Sequence, residues 1–391
     1  MKTNKFLLSI IFLASLSNAS DNAQSFMQQQ LQGFKQYKKS QEEAFKKYKE
    51  AQEKAFKEYK KEIGAIWEEP KLSTKKEWVQ YSKDKKTRSE VDFDKNQIVI
   101  ETIAKDEKEA EKKLQATLAK VVTIDTKTAI EKDPLEQKLA KIKKPENIVS
   151  AKIDTKPILA PVVFDKPPTL EKVKKYVYKE VTPKKIKKEP SKKIKNKFIY
   201  KVTVDLPKDT TYKRSRFYFK DVKYNSKKQN LPISLVFAIM HTESCFNPKA
   251  TSHIPAYGLM QIVPRTAGID SYRYLYKVKK IPSRSYLYNA QNNIKLGSAY
   301  LHILYYSYLK KIKNPQSRLY CTIAAYNTGA GNIAWAFTKS YNVQKAAKLI
   351  NQLTPEEVYN KLLKDLKYDE PKHYLKRVRK RMDIYHKIYK G

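Results

Sequence analysis

Glu243 is an acidic residue at the end of a strongly apolar segment. Residues 231–240 are nearly all apolar, in a chain that is otherwise rich in lysine. At helical spacing, Val236, Ile239 and Met240 lie on the same face as Glu243. Apolar surroundings and the negative end of the helix dipole both disfavour a carboxylate, so we expect the pKa of Glu243 to be raised. A carboxyl group that stays protonated near neutral pH can act as a general acid.

Three further motifs follow Glu243-Ser244 along the chain. They are Tyr257-Gly-Leu-Met-Gln-Ile262, Ala325-Tyr-Asn327, and Tyr374 within the segment 370–376. In order and spacing, the four motifs resemble the catalytic domain of lytic murein transglycosylases, which has a lysozyme-like α fold related to goose-type lysozyme. The resemblance covers residues 207–391 and implies an all-α catalytic domain there.

The resemblance also implies a role for each motif residue. Glu243 would be the catalytic residue, and seven others would contact the sugar or orient the acid: Ser244, Gly258, Met260, Gln261, Tyr326, Asn327 and Tyr374. Structural alternatives stay open for these residues, including Ser244 and Tyr374. Met260 could belong to the core, and Tyr326 could be one ordinary tyrosine among the 28 in the chain.

The residues with an implied role include no second acid. Most glycosidases use two carboxyl groups at a fixed separation, whereas Asp270 lies beyond Gln261 and belongs to no motif. One carboxyl suffices if the substrate supplies the nucleophile. The resemblance therefore implies cleavage of the MurNAc-GlcNAc β-1,4 bond of peptidoglycan, with Glu243 acting as acid and then base and leaving 1,6-anhydromuramic acid ends. The alternatives are a hydrolytic muramidase on the same fold, or a non-catalytic basic protein that binds the cell wall.

Charge and the first residues indicate where the chain works. Lys and Arg number 81 against 40 Asp and Glu, a formal charge of +41, which favours an anionic partner. Residues 1–19 have the basic end, short apolar run and small-residue cleavage site of a signal peptide. They predict a periplasmic protein, and with no cysteine near the site we expect no lipoprotein signal. Expected partners are peptidoglycan glycan strands and an anionic membrane or cell-wall surface, not nucleic acid.

No metal or cofactor is expected, because the five histidines are scattered without ligand spacing. The two cysteines, Cys245 and Cys321, could form a disulfide in an exported protein. Both also lie in apolar helical stretches, where free buried thiols pack as small hydrophobic groups.

Residues 20–67 predict a long charged helix. The aromatic pairs Phe34/Tyr37, Phe45/Tyr48 and Phe56/Tyr59 recur every eleven residues, about three helical turns, and so form one stripe. The stripe would either dock a partner or membrane surface, or pack on the protein itself.

Residues 68–206 predict a small α+β module. Strands are expected around Trp78–Tyr81, Ser89–Phe93, Gln97–Ile103 and Phe198–Val204, with a helix at Glu107–Val122. The module resembles the N-terminal domain of the membrane-bound murein transglycosylase C family. Its stretch 127–197 is rich in lysine and proline and would be a solvated linker, a long insertion or an electrostatic tether. The chain is thus expected to be multidomain, a lysozyme-like domain preceded by a long helix and an α+β module.

Overall fold

The computed structural model describes residues 21–164, 166–252 and 255–389, with side chains described from Met27 onward. The predicted signal peptide at 1–19 lies outside the described residues. A long helix and an α+β module precede an all-α domain, which confirms the expected fold class. Within the described residues, no helix combines the length and apolar character needed to cross a membrane.

The N-terminal helix α1 (Asp21–Gly64) carries the predicted aromatic stripe, and only the later part of the stripe is covered. Tyr48 and Tyr59 are buried, whereas Phe34 and Tyr37 are about half exposed. The Arg265 guanidinium of the helical domain lies 4.4 Å from the ring centre of Phe45. The second half of the stripe therefore packs on the protein itself, as one of the two alternatives predicted.

The module is built on a five-stranded antiparallel sheet of order β1-β2-β3-β6-β5. One face, which includes Trp78, Ile98 and Val202, forms a core with helix α2, and the other face packs under α1 through Val79 and Tyr81. The bounds are β1 (Glu77–Tyr81), β2 (Thr87–Asp92), β3 (Gln97–Ala104), α2 (Glu107–Thr123), β5 (Lys187–Pro190) and β6 (Phe198–Asp205).

The lysine- and proline-rich stretch 127–197 is a folded insertion between β3 and β6, not a solvated linker. Val149 and Ile153 pack against the core of the helical domain. Strand β4 (Ile148–Val149) pairs in parallel with β7 (Ile281–Pro282) of the helical domain, so the insertion joins the N-terminal module to that domain. Besides β5, the stretch contains α3 (Thr126–Glu131), which begins one residue before it, α4 (Pro134–Ala140), β4 (Ile148–Val149), α5 (Ala160–Val163), α6 (Leu170–Glu180) and the 3-10 turn Pro183–Lys185.

The helical domain surrounds the apolar helix that ends at Glu243. That helix, α9, is buried along almost its whole length, because residues 235–240 face neighbours on every side. The domain's elements are α7 (Thr210–Phe217), α8 (Phe219–Gln229), α9 (Ile233–Ser244), a π-helical turn (Pro264–Gly268), α10 (Ile269–Tyr276), β7 (Ile281–Pro282), α11 (Arg284–Tyr288), α12 (Ala290–Ile303), a second π-helical turn (Leu304–Tyr308), α13 (Pro315–Thr328), α14 (Ala330–Thr338), α15 (Val343–Ile350), α16 (Pro355–Asp365) and α17 (Asp369–Ile388).

Both cysteines are free and buried. Cys245 packs with the core of the N-terminal module, and its thiol donates to Asp94 Oδ1 at 3.2 Å. Cys321 lies in the core of the helical domain. The free-thiol alternative is therefore the one that the structure shows.

Two buried ion pairs join the module to the helical domain. Lys249 Nζ lies 3.1 Å from Asp133 Oδ2, and the lysine side chain is only 3% exposed. Its ammonium also donates to the carbonyl of Ala129. The second pair joins Arg284 to Glu136, one turn further along the insertion. Because these charges have left water, each depends on its partner across the domain boundary.

We predict that Asp133→Asn lowers the free energy of unfolding by about 3–5 kcal/mol, because it leaves the Lys249 ammonium buried without a counter-charge. Chemical denaturation of the full chain measures this. Glu53→Gln is the control, since it breaks the exposed Lys49–Glu53 pair on α1 and should cost no more than about 0.5 kcal/mol. Equal effects of the two variants would contradict a special role for the buried pair.

Candidate active site

Glu243 lies in the last turn of α9 with its side chain almost completely buried. Its two carboxyl oxygens have different neighbours. Oε1 accepts a hydrogen bond from the hydroxyl of Tyr374 at 2.8 Å. Oε2 lies 3.6 Å from Nζ of Lys75, a residue of the N-terminal module.

Burial is the main influence on the acidity of Glu243. It raises the pKa of this carboxyl above its ordinary value, as expected from the apolar spacing on α9. The positive charge of Lys75 and the hydrogen bond from Tyr374 both lower the pKa, while the negative charge of Glu370 raises it. The net result is a carboxyl group that holds its proton to higher pH than an exposed glutamate does.

Tyr374 is placed by helix α17, which packs along α9. Its side chain is buried, and burial raises the pKa of its hydroxyl well above the ordinary value. The hydroxyl therefore stays protonated and remains a hydrogen-bond donor to Glu243. The hydroxyl of Tyr374 is thus in direct contact with Glu243, and the orienting role that the resemblance implies stays a prediction.

The loop 257–262 passes close to the end of α9 and needs a glycine at 258. Gly258 has φ +74°, and a Cβ there would overlap the side-chain amide of Asn293 and the carbonyl oxygen of Leu287. Asn293 organises the loop: its amide donates to the carbonyls of Tyr257 and Leu287 at 2.8 Å, and its oxygen accepts from the Met260 backbone at 2.8 Å.

Met260 is a core residue, which was the structural alternative for it. Its side chain is fully buried and lies against Gly297 on α12. The backbone carbonyl of Met260 accepts a hydrogen bond from the Tyr326 hydroxyl at 2.8 Å. Tyr326 thus fixes the loop from helix α13. Burial first, and then the nearby charge of Glu243, raise the pKa of the tyrosine.

Gln261 and Asn327 are the two side-chain amides among the predicted substrate-binding residues. Gln261 Nε2 donates to the Gly258 carbonyl at 3.0 Å, but its Oε1 is buried without a partner among the described residues. Gln261 also has φ +48°, a left-handed conformation that is costly for a residue with a side chain. Asn327 is half-buried in the last turn of α13.

Ser244 is fully buried, and its hydroxyl is occupied by backbone groups. Its single O–H is within hydrogen-bond distance of two carbonyl oxygens, that of Leu259 at 2.8 Å and that of Met240 at 3.0 Å. It also accepts from the backbone N–H of Phe246 at 3.1 Å. Ser244 therefore ties the loop 257–262 to the end of α9, whereas the sequence had suggested a contact with the substrate or with Glu243.

The sequence reasoning missed three residues near the site. Asn293 could have been suspected as a polar residue on an apolar helix face. Glu370 stands in the quoted segment 370–376 but was given no role, although its charge reaches Glu243. Lys75 had no local signal, because it is one lysine among many in the stretch before β1.

Two family models match the chain. The family model described as the Transglycosylase SLT domain matches residues 221–349. The model of the Membrane-bound lytic murein transglycosylase C N-terminal domain matches residues 38–216. Among solved structures, the inactive mutant of the lytic transglycosylase Slt from Pseudomonas aeruginosa is 26% identical with a TM-score of 0.32, and the match covers 43% of this chain and 24% of that one.

Curated relatives match most of the chain. Membrane-bound lytic murein transglycosylase C of Serratia proteamaculans (strain 568) is 36% identical over 318 residues, which are 80% of this chain and 84% of the relative. The protein of the same name from Salmonella arizonae is 34% identical over 314 residues, 80% and 82% of the two chains. The chain therefore belongs to the family of membrane-bound lytic murein transglycosylase C and is a peptidoglycan lytic transglycosylase.

Proposed function

We propose that Glu243 alone carries both proton transfers of the reaction, which cleaves the MurNAc-GlcNAc β-1,4 bond and leaves a 1,6-anhydromuramic acid end. The observation that carries this proposal is the environment of the carboxyl group. It is desolvated enough to hold a proton, yet Tyr374 and Lys75 are in place to stabilise the carboxylate once that proton has left. A residue that must be an acid and then a base needs both properties.

In the first half of the reaction, Glu243 donates its proton to the glycosidic oxygen. The bond between that oxygen and carbon 1 of the N-acetylmuramic acid breaks, and the leaving sugar departs with a hydroxyl group. Positive charge develops on the ring, where the N-acetyl group or a tight ion pair with the carboxylate stabilises it.

In the second half, the Glu243 carboxylate takes the proton of the same sugar's 6-hydroxyl. The 6-oxygen then attacks carbon 1 and closes the 1,6-anhydro ring. Glu243 is protonated again at the end of the cycle, and no water is consumed. The substrate's own hydroxyl thus replaces the second carboxylate that a hydrolase would use to activate water.

The amide groups of Gln261 and Asn327 match the hydrogen-bonding chemistry of the acetamido substituents of the glycan. Gln261 Oε1, buried and unpartnered, can accept a hydrogen bond from an acetamido N–H. The Asn327 side chain offers both a donor and an acceptor. Tyr326, Ser244, Gly258 and Met260 contribute by fixing the loop that presents Gln261.

The basic surface suits an anionic polymer in the periplasm. Strand β5 and the turn before it expose their lysines to solvent, in a chain of formal charge +41. We propose that these lysines hold the protein on the anionic cell wall or membrane surface by interactions that salt weakens. Nucleic acid is not proposed as a partner.

We predict that Glu243→Gln lowers activity on purified peptidoglycan sacculi at least 100-fold, since loss of a general acid costs about 10²–10⁴ in rate. Mass spectrometry of the soluble products should show 1,6-anhydromuramic ends with the wild-type chain. Folding should be preserved, because an amide avoids the cost of ionising a buried carboxyl, and thermal unfolding checks this. Reducing ends in the wild-type digest would instead support a hydrolytic muramidase.

Tyr374→Phe should lower kcat about tenfold and leave KM nearly unchanged. It removes one hydrogen bond to the Glu243 carboxylate that is present between the two proton transfers. The matched control is Tyr385→Phe on the same helix. The Tyr385 hydroxyl bonds His241 Nδ1 at 3.0 Å and lies away from the carboxyl group, so activity should stay near that of the wild type. An equal loss in both variants would point to a general packing effect.

Glu370→Gln tests a carboxylate whose charge reaches Glu243 and which could serve a hydrolytic mechanism. We expect it to retain activity and to give 1,6-anhydro ends. Removing the negative charge of Glu370 should lower the pKa of Glu243. Since Glu243 must be protonated to start the cycle, the decline of kcat/KM at high pH should move to lower pH. Loss of activity would assign Glu370 a direct role and contradict the single-residue mechanism.

A further inference from the structure

Lys75 reaches the active site from the other domain. It lies in the segment just before β1, on the N-terminal module, and its Nζ is 3.6 Å from Oε2 of Glu243. The same oxygen is the one that Tyr374 leaves free, because the tyrosine bonds Oε1. The two domains therefore each provide one contact to the two oxygens of a single carboxyl group.

The backbone around Lys75 is fixed to the helical domain. Asn247, which is fully buried just beyond the end of α9, donates from Nδ2 to the carbonyl of Lys75 at 3.3 Å. The backbone N–H of Thr251 donates to the carbonyl of Thr74, also at 3.3 Å. The lysine is thus placed by two contacts that do not involve its charge.

The next residue in the chain shows that the placement is specific. The ammonium of Lys76 bonds Asp94 Oδ2 at 2.7 Å, at the turn between β2 and β3. Lys75 and Lys76 lie at a bend just before β1, and their ammonium groups go to different acids. One lysine of the pair therefore belongs to the module's own structure, and the other is directed to Glu243.

We propose that Lys75 is a positioning residue for the reaction: it holds Oε2 of Glu243 and stabilises the carboxylate between the two proton transfers. The proposal rests on the function assigned above to Glu243. It makes the N-terminal module part of the catalytic machinery, because the helical domain alone lacks this charge. The side chain is 43% exposed, so the ammonium keeps some hydration and can give way when the glycosidic oxygen approaches.

Four groups face the Glu243 carboxyl and decide how it titrates. Lys75 comes from the module, Tyr374 and Glu370 from α17, and Tyr326 from α13. Both tyrosine hydroxyls are neutral, since burial raises the pKa of each well above its ordinary value. Glu370 opposes ionisation of Glu243, which leaves Lys75 as the positive charge that favours it.

The test is the pH profile of sacculus digestion by full-length Lys75→Met, Lys75→Arg and Lys76→Met. Without the Lys75 charge Glu243 becomes a weaker acid, so the decline of kcat/KM at high pH should move to higher pH. Turnover should fall roughly fivefold with little change in KM, the scale of a partly exposed ion pair. Lys75→Arg should restore most of the turnover and the wild-type profile. Lys76→Met removes the same charge one residue away and should leave the profile unchanged.

Two results would overturn the inference. One is a Lys75→Met profile at the wild-type position, with or without a loss of thermal stability. The other is a rise in KM alone, which would assign Lys75 to substrate binding. Glu243→Gln distinguishes failure of the Lys75 inference from failure of the proposed function. If Glu243→Gln stays active, the proposed role of Glu243 is wrong. If Glu243→Gln is inactive and the pH profile of Lys75→Met does not move, only the role of Lys75 is wrong.

Discussion

The constraint on which the site depends is the burial of one carboxyl group at the meeting point of two domains. A carboxyl in an apolar environment keeps its proton, which suits the acid step that we propose for Glu243 but disfavours the carboxylate that the proposed second step needs. Two polar groups contact the carboxyl oxygens of Glu243: the Tyr374 hydroxyl bonds Oε1, and the Lys75 ammonium lies near Oε2. Each contact is delivered by a different packed element, so the chemistry of Glu243 depends on how α17 and the N-terminal module sit against α9.

The joining of the domains is correspondingly firm. The Lys249–Asp133 and Arg284–Glu136 pairs are buried at the boundary, and β4 of the insertion pairs with β7 of the helical domain. These contacts come from a stretch whose composition resembles that of a linker. A firm boundary is what a contact such as that between Lys75 and Glu243 requires, because a shift of an ångström or two would remove it.

How much of this was visible in the sequence depended on the range of the interactions. The buried setting of Glu243 follows from local spacing on α9, and Tyr374 followed from the motif resemblance. Lys75 and Asp133 could not be predicted, since their partners are far away in the chain and lysine is common throughout it. The insertion was ambiguous for a related reason. Its few apolar residues, such as Val149 and Ile153, are scattered among lysines and prolines, and they form no periodic pattern in the sequence. Their role is visible only in the structure, where they pack against the helical domain. Ser244 was assigned to substrate because its adjacency to the acid was visible, whereas its bond to Leu259 was not.

The unequal covering of helix α1 has a geometric consequence. From Met27 to Ser40 almost every side chain is exposed, whereas Tyr48 and Tyr59 further along are buried against the body of the protein. The exposed part is one continuous α-helix with the docked part, and at 1.5 Å per residue it extends about 20 Å. A helix of this kind resists compression and bending far better than a flexible chain, so it is a rigid spacer. The outer end of the helix is therefore held at a set distance from Glu243, and that distance is counted in helical turns.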